Sequence, residues 1–422
     1  MKGWSRQQWS WAFYDWANSA YALVVMTSFF PLFLATQVAA ADGATRSTTT
    51  LLGYGSSAGS ALVLILAPVL GAVSDQFGAK KRFLALFAFL GAAATASLGL
   101  VHGGHPVLAL CIFVTANVGF SAANGFYDAL LLSVTSTDRL DRLSALGFSL
   151  GYAGSLLLFL FSVVAYQKPS LFGLAGPAEA MRLVFMLVGG WWLLFTLPLL
   201  WWVREPAGLR VQGASVLTTV ARALVELKDT VREIREYRQV ATFLLAYWLY
   251  IDGVHTVIKM AMTYSTSLGF EPKVMLLAIL VTNLVGVPAT LLYARFAAVI
   301  GIKPAILVGL AGYLLVTAGA PLMSRPAHFF ILATVIGLAQ GGVQAMSRSL
   351  FARLIPINEA GKYYGFYNMV GKFAAVLGPA LMATTALLFG DRLSILAIPV
   401  LLIVGMILLA RVKVPVLNGV GA

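Results

Sequence analysis

Polar and ionisable side chains recur in four of the long apolar segments of this sequence, at spacings of three, four and seven residues. Those spacings place side chains on one face of a helix. A charged side chain in hydrocarbon costs about 2.5–3.5 kcal/mol on insertion scales, so a chain that keeps such groups there is expected to turn them toward water or a partner. The four sets are Asp15, Asn18 and Ser19; Asn117, Ser121, Asn124 and Asp128; Asp252, His255 and Lys259; and Gln340, Gln344, Ser347 and Arg348. They predict four polar stripes that line one water-accessible chamber.

Ten side chains in these and neighbouring segments are candidates for binding a charged or zwitterionic solute. Carboxylates accept from a cationic group, Lys donates to a carboxylate, and amides do both. The substrate-binding candidates are Asp15, Asn18, Asn124, Asp128, Asp252, His255, Lys259, Gln340, Gln344 and Lys372.

The charges within these segments nearly cancel, because three Asp stand against Lys259, Lys372 and Arg348. Two interpretations stay open. In the structural one, Asp and Lys pair across helices and make burial tolerable; in the functional one, they bind a solute, or one carboxylate takes up a proton. The proton-coupling candidates are Asp252, Asp15 and Asp128. Asp252 comes first because Lys259 lies about two helical turns away, too far for a close pair within the helix.

A glycine-rich loop, Gly71-Ala-Val-Ser-Asp75-Gln-Phe-Gly78-Ala-Lys80-Lys81, separates the second and third apolar segments. Its glycines permit a tight turn and a close approach of helices. Asp75 lies at a helix end and can accept hydrogen bonds from a neighbouring helix N-terminus or an Arg. We predict a conformational latch, and the alternative is an ordinary basic loop. The latch residues are Gly71, Asp75, Gly78, Lys80, Lys81 and Arg348.

The elements that carry these residues must be solvated by lipid. The chain has 422 residues, of which 60% are hydrophobic and 11% charged, too apolar for a soluble protein. Continuous apolar runs at 61–73 and 107–120 exclude the alternation of a membrane barrel. We predict an all-α integral membrane protein with twelve transmembrane helices in two six-helix bundles. The predicted spans are 10–38, 51–73, 83–101, 107–133, 143–166, 182–203, 239–267, 274–296, 304–323, 328–351, 363–388 and 393–411.

The positions of the basic residues predict the orientation of the chain in the membrane, and a hydrophilic segment predicts where the chain divides into two bundles. Lys and Arg concentrate in the loops on the side of the N-terminus, which predicts a multi-pass protein of the cell inner membrane with both termini in the cytoplasm. Residues 204–238 read as a cytoplasmic linker with an amphipathic helix, between an N-terminal bundle (1–203) and a C-terminal bundle (239–422). Asp15-Trp-Ala-Asn18 and Asp252-Gly-Val-His255 occupy matching places in the two halves, which favours an internal duplication.

Other kinds of function find little support in the sequence. The formal charge of +13 falls mainly into short loops, as a topology signal rather than a nucleic-acid surface. No phosphate-binding loop, nucleophile elbow or metalloprotease helix is present, so we expect neither an enzyme nor a cofactor. His102-Gly-Gly-His105 is a poor metal site. Cys111 is expected to be a packed thiol.

Several motifs resemble a known branch of transporters. The string from Gly71 to Lys81 resembles the signature loop of the major facilitator superfamily. Six further motifs resemble the branch that contains the autophagy-related vacuolar amino-acid exporters and their bacterial relatives. They are Tyr14-Asp-Trp-Ala-Asn-Ser-Ala-Tyr21, Phe126-Tyr-Asp128, Ser144-Ala-Leu-Gly-Phe-Ser-Leu-Gly-Tyr152, Tyr250-Ile-Asp-Gly-Val254, Gln344-Ala-Met-Ser-Arg-Ser-Leu-Phe351 and Gly365-Phe-Tyr-Asn-Met-Val-Gly-Lys-Phe373.

The resemblance implies alternating access by rocking of two bundles, and neutral or branched amino acids as cargo. The chain departs from the superfamily in its fourth span, which lacks the intramembrane Arg of many proton-coupled drug exporters. That departure weakens the corresponding coupling scheme and the usual partner for Asp75.

The sequence is compatible with three functions. The first is secondary active transport of a small polar or zwitterionic solute, foremost an amino acid, by a monomer with protons as candidate coupling ion. The second is export of amphiphilic drugs or metabolites, for which Trp11, Phe13, Tyr14, Trp16 and Tyr21 would form an apolar wall; the alternative role of the tryptophans is interfacial anchoring. The third is a membrane receptor that keeps the fold without transporting.

Overall fold

The computed structural model describes residues 3–34, 70–71, 73–75, 77–102, 105–205, 237–267, 272–373 and 377–414. All regular secondary structure in these ranges is helical. This agrees with the all-α prediction from continuous apolar runs, because in lipid a helix satisfies every backbone donor and acceptor within its own segment.

The first half of the chain begins with a capped helix that changes its winding. Ser5 accepts from the Gln8 backbone N–H at 3.3 Å and Gln8 Oε1 accepts from the Ser5 N–H at 2.9 Å, a capping box that starts α1. The helices are α1 (Arg6–Ala20), its π-helical continuation Tyr21–Phe29, α2 (Phe30–Phe33), α3 (Lys80–Ser97), α4 (Pro106–Val134), α5 (Leu140–Gln167) and α6 (Pro177–Trp202).

The second half repeats long helices joined by short turns. Its helices are α7 (Arg238–Ser267), α8 (Pro272–Ile300), α9 (Ile302–Gly319), α10 (Pro326–Leu354), α11 (Ala360–Phe373), α12 (Leu377–Phe389), α13 (Asp391–Ser394) and α14 (Ile398–Arg411). Short 3₁₀ turns stand at Leu98–Leu100, Thr137–Arg139, Pro169–Phe172, Ala320–Leu322, Ile357–Glu359 and Ile395–Ala397.

Ten stretches of the described chain are long and apolar enough to cross a membrane. They coincide with ten of the twelve predicted spans. The second predicted span, 51–73, lies almost entirely outside the described residues, and the eleventh, 363–388, is divided between α11 and α12. The described helices are therefore consistent with twelve spans.

The chain forms two compact units. Unit 1 comprises Met1–Val134, Leu150–Val220 and Gly361–Asn368; unit 2 comprises Thr135–Ser149, Ala221–Ala360 and Met369–Ala422. Each unit therefore takes one short segment from the other sequence half, at the beginning of α5 and of α11. The predicted division into 1–203, 204–238 and 239–422 stays a prediction, since most of the linker, 206–236, lies outside the described residues.

Unit 1 is held by contacts of α3 with α4 and α6 and of α1 with α6 and α4. Helices α3 and α4 approach each other closely, since a Cβ on Gly119 would stand 2.6 Å from the Gly91 Cα. Toward the other end of α4, the Phe30 and Phe113 rings stack with centroids 3.9 Å apart. Small residues let these helices pack closely, as expected where no hydrophobic effect drives association within lipid.

Unit 2 is held mainly by α8 and α9 on α10 and by α14 on α7. The Tyr293 ring of α8 lies directly over Gly342 of α10, a place that any side chain would fill. Its hydroxyl donates to the Ala305 carbonyl at 2.7 Å, which ties α8 to α9.

The prediction that Cys111 is a packed thiol is wrong. Cys111 is exposed, on a face of α4 that also exposes Leu108 and Thr115. An apolar run in a lipid-solvated helix does not require burial against protein, so the run around Cys111 could not reveal which of its residues are packed.

Candidate functional site

Asp15 and Asn18 on α1 face Asn124 and Tyr127 on α4 inside unit 1. The Tyr127 hydroxyl donates to Asp15 Oδ2 at 2.8 Å. Asn18 Nδ2 donates to Asn124 Oδ1. Asp15 and Asn18 are three residues apart on α1, and Asn124 and Tyr127 are three residues apart on α4. Because Asp15 contacts the later residue of α4 and Asn18 the earlier one, the two helices run in opposite directions here.

A second carboxylate, Asp128, lies one residue beyond Tyr127 and contacts the segment of α11 that belongs to unit 1. Asn368 Nδ2 donates to Asp128 Oδ2 at 3.3 Å and to the Tyr364 carbonyl at 2.9 Å. Asp15 is 6% exposed and Asp128 7%. We call Asp15, Asn18, Asn124, Tyr127, Asp128 and Asn368 the unit 1 polar cluster.

Aromatic rings surround the Asp15 end of this cluster. Trp11 stacks on Tyr127 with centroids 4.4 Å apart and donates its indole N–H to the Tyr127 carbonyl at 3.0 Å. The Tyr14 ring lies 4.9 Å from that of Tyr127. The Tyr14 hydroxyl is buried beside the Trp192 and Asn18 side chains and lies near both Asp15 and Asp128.

The aromatic residues considered for an apolar wall divide between burial and partial exposure. Trp11, Tyr14 and Tyr21 are completely buried. Tyr21 packs against Phe120 and Trp192, with centroids 5.2 and 5.5 Å away. For Trp11, the anchoring role is wrong, because the side chain packs between helices. Phe13 and Trp16 are half-buried.

Asp252 lies in unit 2 and caps a helix. It is fully buried, and its two carboxylate oxygens accept from the backbone N–H groups of Leu377 at 3.1 Å and Gly378 at 3.0 Å, where α12 begins. Thr256 donates to the same carboxylate at 3.2 Å. A carboxylate at a helix N-terminus satisfies otherwise unpaired donors, so these contacts favour the structural interpretation of Asp252.

The remaining binding candidates lie on helices of unit 2. His255, Gln340 and Gln344 are half-buried on α7 and α10. Lys259 and Lys372 lie on α7 and α11, and their side chains fall outside the described part of the structure. The roles of these five residues in binding stay predictions.

The predicted latch loop makes its turn at Gly78, whose φ of 57° lies in the left-handed region that favours glycine. Asp75 Oδ1 accepts from the Gly361 N–H at 3.0 Å and Oδ2 from the Lys362 N–H at 2.7 Å. Lys80 Nζ lies 2.6 Å from Asp75 Oδ1. The carboxylate thus binds the N-terminus of α11, one of the two partners that its position predicts.

Two glycines make this contact possible. A Cβ on Gly71 would collide with the Gly361 carbonyl, and a Cβ on Gly361 would lie 2.9 Å from Asp75 Oδ1. Burial raises the pKa of the Asp75 carboxyl, and Lys80 opposes that shift. The structure therefore brings Gly71, Asp75, Gly78 and Lys80 together with the start of α11 in unit 1; that they act as a latch stays a prediction.

Glu205 completes this region and was not singled out from the sequence. It accepts from the backbone N–H groups of Lys80 at 2.5 Å and Lys81 at 3.0 Å, and so caps α3. The Lys81 ammonium donates to the Val203 carbonyl at 3.0 Å. The sequence shows an acidic residue directly after the sixth span, but it does not show that this residue caps α3, which lies more than 120 residues earlier in the chain.

Arg348, included in the latch on sequence grounds, has described contacts with α5 in unit 2. Its Nε donates to Ser144 Oγ and its Nη2 to the Ser144 carbonyl, each at 2.9 Å, and the guanidinium lies 4.3 Å from the Phe148 ring centroid. One turn further, Arg353 Nη2 pairs with Asp141 Oδ2 at 2.8 Å, and Ser349 donates to Asp141 Oδ1.

Tyr127 and Asn368 are further cluster members that the stripe argument missed. Each occurs within a quoted motif, Phe126-Tyr-Asp128 and Gly365 to Phe373. A tyrosine in an apolar run reads equally well as a packed ring, so its hydroxyl gave no distinct signal. Taken together, the unit 1 polar cluster places two carboxylates on α1 and α4, which belong to stretches long and apolar enough to cross a membrane. Such groups can bind a small polar solute or exchange a proton.

Known proteins resemble this chain over nearly its whole length. A family model described as "Vacuole effluxer Atg22 like" matches residues 4–136 and 132–416. YxiO of Bacillus subtilis (strain 168), an uncharacterized MFS-type transporter, is 37% identical over 414 residues, covering 98% of this chain and 96% of the relative. Autophagy-related protein 22 of Coccidioides immitis (strain RS) is 23% identical over 501 residues, covering 90% and 82%.

Solved structures share the fold. A proton:xylose symporter of the major facilitator superfamily, XylE, superposes with a TM-score of 0.71 at 15% identity over 97% of this chain and 96% of the other. The human organic anion transporter MFSD10 gives 0.68 at 17% identity, over 96% and 99%. At these identities the likeness concerns the helical architecture alone.

Proposed function

This chain belongs to the Atg22-like family of major facilitator transporters, and on that premise we propose that it is a secondary active transporter of a small polar or zwitterionic solute, foremost an amino acid. It works as a monomer in the cell inner membrane, with both termini in the cytoplasm. The solute binds in a central cavity that opens to each side in turn.

The observation that carries this proposal is the unit 1 polar cluster. Two carboxylates and three amides lie between α1, α4 and α11, and polar groups on membrane-spanning helices are costly unless they are used or satisfied. Asp15 and Asp128 are nearly buried, and a solute that reaches them exchanges its hydration shell for fixed polar groups.

Proton coupling belongs to the same cluster in this proposal. Asp252 is engaged by two backbone N–H groups and Thr256, so Asp15 and Asp128 become the first candidates to carry a proton. An aspartate that alternates between solute and proton links the two fluxes without a further cofactor.

Conformational exchange would involve the contacts at Asp75 and Asp141. Asp75 binds the start of α11 in unit 1, and Asp141 binds α10 in unit 2. Both contacts join segments from different sequence halves, and we propose that both are released when the cavity changes sides.

Flux into proteoliposomes tests the function. Vesicles with the purified chain receive labelled amino acids, each with and without an imposed pH gradient. We expect at least one amino acid to accumulate faster than in protein-free vesicles, and the gradient to drive it above equilibrium. If no amino acid moves in either condition, the cargo assignment fails.

The Asp15→Asn and Asp252→Asn variants separate function from packing in the same assay. Asp15→Asn keeps an acceptor for Tyr127 and should lower flux while the protein remains folded. Asp252→Asn removes one of two acceptors at the start of α12 and should lower thermal stability first. Normal flux in the Asp15 variant would make Asp15 a packing residue.

A further inference from the structure

Basic side chains gather in unit 1 where α1 and α3 begin and α6 ends. The Arg6 guanidinium at the start of α1 lies 4.0 Å from the ring centroid of Trp202, the last residue of α6. The Lys81 ammonium at the start of α3 donates to the Val203 carbonyl at 3.0 Å, directly after α6. The three helix ends therefore lie side by side at one end of unit 1.

Three exposed arginines of this region make no ion pair within the described part of the chain. They are Arg6, Arg82 and Arg204. Two acids of the same region are engaged by other groups. The Asp75 carboxylate binds the Lys80 ammonium at 2.6 Å, and Glu205 accepts from the backbone N–H groups where α3 begins. The region therefore carries an excess of positive charge.

The ends of α1 and α3 add to that charge. Cations are unfavourable near a helix N-terminus, where the backbone dipole is positive. Arg6 lies in the first turn of α1 and Arg82 in that of α3, and neither turn contains an acidic residue. The C-terminus of α6 offers a compensating negative end, but Lys81 already binds there. An anion from the surroundings would stabilise this arrangement.

Exposed tryptophans mark the depth of this region in the membrane. Trp9, three residues after Arg6, is 40% exposed, and Trp201 at the end of α6 is 66% exposed. Both belong to stretches long and apolar enough to cross a membrane. Exposed tryptophan at the end of a spanning helix is typical of the boundary between hydrocarbon and lipid headgroups. The arginines therefore lie at the level of the lipid phosphate groups.

Arg6 is held in a way that suits phosphate binding. A guanidinium that stacks on the face of an indole keeps its N–H groups, which lie in its own plane, available to an anion. Two of these N–H groups can donate to two oxygens of one phosphate, which is the preferred geometry of an arginine and a phosphate.

We propose that this surface, formed by Arg6, Arg82, Arg204, Trp9 and Trp201, binds anionic phospholipids in the leaflet at which α1 begins. The arginines attract the net negative charge that a zwitterionic phospholipid lacks, and the exposed indoles contact the lipid at headgroup level. The proposal rests on the insertion of the chain in a membrane and is independent of the transported solute.

Quenching of tryptophan fluorescence by brominated lipids measures this binding. Of the nine tryptophans, only Trp9 and Trp201 are exposed, so they are the ones that lipid-borne bromine quenches most. The full chain is reconstituted into phosphatidylcholine vesicles with increasing fractions of brominated phosphatidylglycerol and, in parallel, of brominated phosphatidylcholine. We expect phosphatidylglycerol to bind at least about fivefold more tightly, since one basic side chain near an anionic surface contributes about that factor.

Paired variants assign the preference to this surface. Arg82→Gln combined with Arg204→Gln should bring the two lipids to nearly equal affinity, and Arg6→Gln should act in the same direction. Lys168→Gln combined with Arg182→Gln is the matched control, because it removes two positive charges at the other end of α6. This control should keep the preference of the wild type.

Salt gives a second measurement on the unmodified protein. Screening shortens electrostatic attraction from about 10 Å at 0.1 M salt to about 3 Å at 1 M, so the preference for phosphatidylglycerol should shrink as salt is added. A preference that persists unchanged at high salt would contradict attraction by exposed arginines.

Two further outcomes would overturn the proposal. Equal quenching by both lipids in the wild type would mean that the positive charges are neutralised within the chain. A preference that the Lys168 and Arg182 control loses as fully as the Arg82 and Arg204 variant would reflect the net charge of the protein and not this surface. No flux is needed for these measurements, so they stand or fall separately from the proposed transport function.

Discussion

The Asp75 carboxyl is subject to two opposing influences. Burial raises its pKa, while the Lys80 ammonium at 2.6 Å and the N–H groups of Gly361 and Lys362 favour the charged form. Burial is the larger effect, so the folded protein holds the Asp75 proton more tightly than the unfolded chain does.

This order of effects predicts how stability depends on pH. A carboxyl whose folded pKa exceeds its unfolded value, about 3.9, stabilises the fold fully below that value and loses this contribution as pH rises through the raised pKa. The Tm advantage of the wild type over Asp75→Asn should therefore shrink from about pH 4 upward. Other groups titrate equally in both proteins. An advantage that grows with pH would mean that the ion pair with Lys80 outweighs burial.

At the residue scale, the spacing of polar residues predicted which side chains lie together better than it predicted their hydrogen-bond partners. Spacing alone selected Asp15, Asn18, Asn124 and Asp128, and the structure brings all four together in unit 1. The same argument ranked Asp252 first for proton coupling. Spacing could not predict that the backbone N–H groups of α12 bind Asp252, because they are 125 residues away along the chain and every residue except proline has such a group.

At the element scale, the apolar runs located the spans but cut several of them short. Several described helices begin before the predicted spans, as in Pro177–Trp202 for 182–203 and Leu140–Gln167 for 143–166. Four long helices, α4, α6, α8 and α10, begin with proline, whose missing N–H costs nothing in the first turn. These prolines could therefore have been used to predict where the four helices begin. The π-helical segment Tyr21–Phe29 left no comparable signal.

The beginning of α12 is an element that a single methyl group should disturb. A Cβ on Gly378 would collide with Thr256 Oγ1 and stand 2.8 Å from Asp252 Oδ1. We expect Gly378→Ala to lower the free energy of unfolding by about 1–3 kcal/mol, as overpacking does. Thermal denaturation in detergent measures the change.

Gly190→Ala is the matched control, because that glycine lies within α6 and a Cβ there would meet nothing within 4 Å. Alanine favours a helix interior over glycine by up to about 1 kcal/mol, so this variant should be as stable as the wild type or slightly more stable. Equal destabilisation by both substitutions would show that α12 does not begin against Asp252 and Thr256.

At the scale of the whole molecule, the sequence predicted two sets of spans but not the segments exchanged between the units. Unit 2 takes Thr135–Ser149 and unit 1 takes Gly361–Asn368. These assignments depend on contacts such as Arg353 with Asp141, more than 200 residues apart. Hydropathy indicates which segments are solvated by lipid, but it does not predict which distant helix a polar side chain contacts.

The exchanged segment in unit 2 gives a direct test of alternating access. Ser349 Oγ donates to Asp141 Oδ1, so cysteines at these two positions can be joined by oxidation or by a short thiol cross-linker. The background variant Cys111→Ser removes the only native thiol. Because we propose that this contact opens during transport, cross-linking Asp141→Cys to Ser349→Cys should reduce flux to that of protein-free vesicles.

Reduction of the disulfide should restore the flux of the uncross-linked double variant, which already lacks the pair between Asp141 and Arg353. Each single cysteine variant, treated with the same oxidant, controls for damage elsewhere. A rigid link blocks transport only if the two segments must separate, since a contact that persists through the cycle tolerates a covalent bond. Undiminished flux in fully cross-linked protein would therefore place the moving contact outside the Asp141 region and leave the Asp75 contact in unit 1 as the one to lock next.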